Sequence, residues 1–161
     1  MTFLKKEKVF TRKSLFIKLS SFCAYQERTQ QEVREKLYEL EADKDLTEEI
    51  ITELITENFI NEERFARTFT GGKFRLKKWG RNKIVKELEN REITSYCIRK
   101  GLEEIEEKEY QKALRELLNK KNREEKEENL YKRKHKLSLF AIRKGYEPEL
   151  VWETINELFT E

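Results

Sequence analysis

Seven cations and no acid fall between residues 71 and 86, in the stretch GGKFRLKKWGRNKIVK. They are Lys73, Arg75, Lys77, Lys78, Arg81, Lys83 and Lys86, with Phe74 and Trp79 among them. Such a run is unusual in a chain so rich in Glu. Its natural chemistry is anion binding, because cations and the free N–H groups of a helix start can hold successive phosphates or an acidic protein surface. Trp79 and Phe74 either stack on bases, as in single-strand binders, or wedge into the core; for each ring the core reading is favoured. A second cluster, Lys132, Arg133, Lys134 and Lys136, surrounds His135, the one His in the chain. It either extends the first cluster into one basic groove or is a solvated helix face. His135 among these cations reads as an exposed neutral imidazole rather than a catalytic base.

Little else in the sequence could do chemistry. Asp43 and Asp45 lack the accompanying groups of a metal-dependent nuclease. Cys23 and Cys97 read as small core residues and make no zinc site or disulfide framework. There is no Gly-rich phosphate loop, His-Glu-x-x-His pair, nucleophile elbow or Cys-x-x-Cys. The expectation is a protein that binds rather than catalyses, without metal or cofactor.

The elements that must position these residues are helical. Apolar residues recur at i, i+3, i+4 and i+7 along nearly the whole chain, as in Tyr110, Ala113, Leu114, Leu117 and Leu118. Nine helices of 10 to 20 residues are expected. Thr29 with Glu32 reads as a capping box; Thr47, Asn61 and Thr94 read as further caps, and Pro148 as the first residue of the last helix. Gly71-Gly72 reads as an interruption, either a hinge or a close-packing point. Lys83-Ile84-Val85-Lys86-Glu87-Leu88 aligns with Glu32-Val33-Arg34-Glu35-Lys36-Leu37, and a third copy surrounds Tyr146-Glu147-Pro148. The period of about 47 to 53 residues holds three helices. The fold expected is all-α: an elongated, curved array of three tandem three-helix repeats. Its parts are a basic N-terminal arm at 1–13 and repeats at 14–60, 61–105 and 106–161.

Composition agrees with a thin helical array. Of 161 residues, 42% are charged and 37% apolar, with one Pro and five Gly, which leaves too few turn signals for a sandwich or barrel. The net charge of +3 conceals strong asymmetry: residues 26–63 carry 13 acids and 4 bases. That acidic stretch is either solvated helix face or a surface that repels DNA or docks a basic partner. No apolar run is long enough to span a membrane and the N-terminus lacks a signal-peptide core, so a cytoplasmic location is expected.

The same residues resemble the RecX regulatory proteins of bacterial recombination. Arg28-Thr29-Gln30-Gln31-Glu32-Val33 with Leu37 resembles the first-repeat motif. Phe59-Ile60-Asn61-Glu62-Glu63-Arg64-Phe65-Ala66 is similar to the family's Tyr-Leu-Asp-Asp segment followed by Phe-Ala. Lys77-Lys78-Trp79-Gly80-Arg81-Asn82-Lys83-Ile84, then Glu87-Leu88, resembles its most recognisable stretch, and Gly145-Tyr146 with Val151 and Ile155 its closing repeat. Departures are Asn61 for Asp, Asn82 after Arg81 where Pro often follows the Gly, Arg91-Glu92 for a common Lys-Gly before the third helix, and Glu41-Ala42-Asp43-Lys44-Asp45 without the usual Gly. The resemblance implies a non-enzymatic modulator, usually an inhibitor, of the RecA recombinase, its ATP hydrolysis and its SOS coprotease activity in DNA repair. The partners it implies are the RecA filament and single-stranded DNA, met directly or through RecA, with no membrane and a monomeric protein. The filament-facing or DNA-facing residues expected are Lys73, Arg75, Lys77, Lys78, Trp79, Arg81, Lys83, Lys86, Lys132, Arg133, Lys134 and Lys136, with Gly80 setting the corner that aims them. The alternatives are a general nucleic-acid-binding repeat protein and a helical protein-interaction scaffold.

Overall fold

The computed structural model describes residues 10–160, so most of the basic arm at 1–13 lies outside the described residues. Among these residues there are nine α-helices and no strand. They are α1 (Arg12–Tyr25), α2 (Gln30–Glu39), α3 (Lys44–Thr56), α4 (Glu62–Lys77), α5 (Arg81–Asn90), α6 (Ser95–Leu102), α7 (Glu107–Glu124), α8 (Leu130–Arg143) and α9 (Pro148–Leu158). The chain forms two compact units, Met1–Phe65 and Ala66–Glu161, and the division falls inside α4.

In the first unit, α1 and α2 both pack on α3. Leu15, Leu19 and Cys23 meet Val33 and Leu37 and the stripe Ile50, Ile51 and Leu54, with Ile60 closing the cluster. In the second unit α5 packs on α6, while α7, α8 and α9 all pack on one another. The buried side chains there include Phe74, Ile84, Leu88, Tyr110, Leu114, Leu118, Tyr146 and Ile155. Gly101 brings α6 close against the Ala66 backbone of α4.

The helix starts follow local capping chemistry. Thr29 accepts from the Glu32 N–H, Asn61 from the Arg64 N–H and Thr94 from the Cys97 N–H, and Pro148 opens α9. Two expectations are corrected. Thr47 is no cap: Asp43 accepts from the Leu46 N–H, so α3 begins earlier and Thr47 is buried within it. Its hydroxyl oxygen finds no hydrogen-bond partner there. Gly71-Gly72 interrupts nothing. α4 runs through both, because burial of Phe65, Ala66, Thr70 and Phe74 on its inner face outweighs the cost of two helical glycines.

Helix ends share one device. Glu41, Asn58, Lys78, Glu92 and Gly145 all take a positive φ, and only the last is glycine. After each comes an apolar residue whose N–H returns to the preceding helix: Ala42 to Leu37, Phe59 to Leu54, Trp79 to Lys73, Ile93 to Leu88 and Tyr146 to Ala141. Four of these are the Schellman arrangement, and the Lys78 corner is one residue wider, with Lys78 returning to Phe74 and Trp79 to Lys73. Glu41 and Glu92 thus take the backbone conformation that favours glycine without being glycine.

Candidate nucleic-acid interface

The basic stretch folds as the end of α4, a tight corner at Lys78-Trp79-Gly80, and the start of α5. That corner lies directly against a second one, between α8 and α9. The Gly80 N–H donates to the Lys144 carbonyl at 2.8 Å and the Asn82 N–H to the Gly145 carbonyl at 2.9 Å. The Tyr146 hydroxyl donates to the Lys78 carbonyl at 3.0 Å. Both glycines are required by the approach. A Cβ on Gly80 would stand 2.3 Å from the Gly145 carbonyl carbon, and one on Gly145, where φ is +104°, 2.4 Å from the Lys83 Cβ.

Trp79 is half-buried at this corner, between two lysines. The Lys83 ammonium lies 4.4 Å and the Lys73 ammonium 4.9 Å from its ring centroid. Phe69 meets Trp79 edge to face at 6.3 Å, and Lys73 and the Arg91 guanidinium also lie over Phe69. Aromatic faces thus hold three cations in place by cation–π attraction. Lys77, Lys78 and Lys86 are exposed beside this group. Among the described residues no ion pair engages Lys73, Lys77, Lys78, Lys83 or Lys86. The arrangement is a half-buried indole carrying ammonium groups with charge to spare, which suits the phosphates of a nucleic-acid backbone.

The other expected residues are placed differently. Phe74 is a core residue, buried against Tyr110 with ring centroids 5.8 Å apart. Arg75 lies about 200° around α4 from Lys73, with its guanidinium folded back over Gly71. Arg81 is turned inward. Its guanidinium donates to Glu147 at 3.0 Å and to Glu107, and lies 3.9 Å over the Tyr110 ring. Burial works against its charge, but the hydrogen bonds to Glu107 and Glu147 prevail and raise its pKa. Glu107 is held below the usual carboxylate range by the hydrogen bond from Arg81.

Lys132 to Lys136 begin α8, whose far end forms the corner with Gly80. From Lys134 to Arg143, the last residue of α8, the helical rise amounts to about 14 Å. Arg133 secures the α7–α8 loop, donating to the carbonyls of Asn122, Glu125 and Glu127 at 2.8–3.0 Å. Lys136 pairs with Glu125 and Glu127, and Lys134 lies over Phe159. Lys132 and His135 are exposed. The N–H groups of Glu127 and Asn129 hold the carboxyls of Glu125 and Glu127 below their ordinary pKa. The structure joins Lys73, Trp79 and Lys83 in one constellation, with Arg75, Arg81 and the 132–136 cluster outside it.

Sequence reasoning missed Phe69, Arg91, Tyr110, Glu107 and Glu147 as parts of the corner. A signal for them existed. Lys78-Trp79-Gly80-Arg81 and Lys144-Gly145-Tyr146-Glu147 both place a Lys, an aromatic ring and a Gly together, which is a hint that two corners meet. Among the described residues no group of His, Cys, Asp and Glu could hold a metal ion, and no helix is long and apolar enough to cross a membrane.

Comparison with known proteins agrees with this architecture. Residues 61–102 match the family described as RecX, second three-helix domain, and residues 107–155 match RecX, third three-helix domain. The chain is 28% identical over 147 residues to the Regulatory protein RecX of Bacillus cereus (strain B4264), covering 91% of this chain and 54% of that one. It is 29% identical over 147 residues to the Regulatory protein RecX of Bacillus cytotoxicus, with the same coverage. The chain thus spans about half the length of these curated relatives. Two solved structures share the fold. The crystal structure of RecX from Lactobacillus salivarius matches with a TM-score of 0.85 at 21% identity, covering 93% of this chain and 97% of that one. A crystal structure of regulatory protein RecX matches at 0.82 and 19%, covering 91% and 71%. Two domain matches in the family's own order, on helices that pack as the corner requires, establish that the chain belongs to the RecX family.

Proposed function

We propose that this chain binds the filament of RecA on single-stranded DNA and restrains its strand exchange, ATP hydrolysis and coprotease activity, without catalysis of its own. The observation that carries the reading is Trp79 between Lys73 and Lys83, on a corner fixed by backbone hydrogen bonds. A filament offers protein surface and phosphate together, and a repeat protein can engage both through many weak contacts acting as one. In this reading Lys73, Lys77, Lys78, Trp79, Lys83 and Lys86 form the central contact. Lys132 and its neighbours form an outlying one, and Arg75 and Arg81 flank it. The protein acts as a monomer, built of an arm at 1–13 and repeats at 14–60, 61–105 and 106–161.

The test is titration of the purified chain into RecA ATPase and strand-exchange reactions on single-stranded DNA. Both activities are expected to fall as the chain is added; rates that stay level up to saturating chain would discard the proposal. Replacing Lys73 and Lys83 by Ala is expected to weaken single-strand binding at low salt. The slope of log affinity against log salt should shrink by about 0.7 for each lysine that meets a phosphate. Fluorescence anisotropy of a labelled oligonucleotide measures it. The second reading, a general nucleic-acid binder, draws on the same constellation, since a lysine-edged indole needs no recombinase. Bare single strands bound as tightly as RecA-coated ones would favour it.

A further inference from the structure

The start of α5 has no cap of its own. Its N-cap is Gly80, which supplies no side-chain acceptor; α7 and α9 also start without a side-chain cap, whereas Thr11, Thr29, Asp43, Thr94 and Asn129 cap their own helices. The first N–H groups of any helix lack partners within it. Here they are answered from the third repeat. The Arg81 N–H donates to the Tyr110 hydroxyl at 3.0 Å, across 29 residues, and the Asn82 N–H to the Gly145 carbonyl at 2.9 Å. The Tyr110 hydroxyl then donates to one oxygen of Glu147, whose other oxygen accepts from the Arg81 guanidinium. Backbone, phenol, carboxylate and guanidinium form a closed ring of hydrogen bonds around one turn of helix.

We infer that Tyr110 and Glu147 are positioning residues for the lysine–tryptophan face: they cap α5 from another repeat and so fix where Lys83 stands over Trp79. The inference rests on the reading of that face as the nucleic-acid contact. Tyr110 is fully buried, so it acts through α5 rather than by touching a strand. Its ring packs against Phe74 and Tyr146 whether or not it carries a hydroxyl. Removing the oxygen alone therefore separates capping from core packing.

The experiment compares the full chain with Tyr110→Phe, Glu147→Gln and Glu147→Ala. Amide hydrogen exchange is read by NMR, and affinity for a labelled single-stranded oligonucleotide by anisotropy. In Tyr110→Phe, exchange at Arg81 is expected to quicken about tenfold, the cost of one lost hydrogen bond, while amides in α9 hold their rates. Affinity should fall about fivefold to tenfold with every lysine still present. Glu147→Gln keeps an acceptor for the phenol but sets its NH2 against the Arg81 guanidinium, so affinity should fall about twofold to fivefold, and Glu147→Ala, which removes both acceptors, should fall about fivefold to tenfold. Unchanged exchange at Arg81 in Tyr110→Phe overturns the capping. Faster exchange with undiminished affinity overturns the positioning role. A parent chain that binds no oligonucleotide sinks the functional reading instead, and the exchange rates still judge the cap by themselves.

Discussion

At position 80 a single methyl group has nowhere to go, because backbone atoms of Gly145 and Tyr146 occupy its place. Backbone cannot swing aside as a side chain can, so Gly80→Ala is expected to cost about 1–3 kcal/mol. Gly72 lies in helical backbone with nothing within 4 Å of a new Cβ. Gly72→Ala should therefore stabilise the chain by about 0.5–1 kcal/mol. Calorimetric midpoints should move in opposite directions for these two variants; a shift of the same sign would contradict the close approach of the two corners. The sequence marks Gly80 through its motif but cannot show this contrast, since the group that excludes a methyl there comes from a distant corner. The same blindness applies to charge. Arg81 and Arg133 count as cations in any window, yet their guanidinium groups face Glu147, Glu107 and loop carbonyls.

The helices themselves were legible, because each buries one stripe and the stripes are spaced for a helix. Caps made by Thr29, Asn61 and Thr94 could be read as well, being local. Thr47 misled because Asp43, four residues earlier, is the stronger acceptor. The helix ends were harder to read, since four of the five left-handed positions lack the usual glycine. Glu92 takes φ +60° there, a conformation that costs a side-chain-bearing residue about 1–2 kcal/mol. Glu92→Gly is accordingly expected to raise stability by about 1 kcal/mol. The urea midpoint should increase with an unchanged slope, and a midpoint that falls would mean the Glu92 side chain contributes more than its backbone strain removes.

For the molecule as a whole, titrating groups limit stability at both ends of the pH scale. Hydrogen bonds from Arg34, Arg67 and Arg81 hold Glu48, Glu103 and Glu107 below the ordinary carboxylate value of 4.5. Their contribution is complete above that value and is lost as pH falls below it toward the folded-state values. Burial acts in the other direction on phenols, pushing Tyr146 from 10.0 up to about 12 and raising Tyr110 as well. That stability is present below pH 10.0 and is lost as pH rises toward 12. Thermal midpoints measured across pH should therefore drop below about 4.5 and again above about 10, and Tyr110→Phe should soften the alkaline drop alone. Equal alkaline sensitivity in parent and variant would speak against a buried phenol at 110.

The cap on α5 also sets an order of assembly during translation. Arg81 and Glu147 are 66 residues apart in the chain. At about 5–20 residues per second a ribosome needs roughly 3–13 s to make that stretch. Throughout that delay the newborn second repeat has a helix whose leading amides are answered only by water. Its corner can close only after Gly145 and Glu147 have left the exit tunnel, so the lysines around Trp79 gain their final arrangement with the third repeat and not with their own.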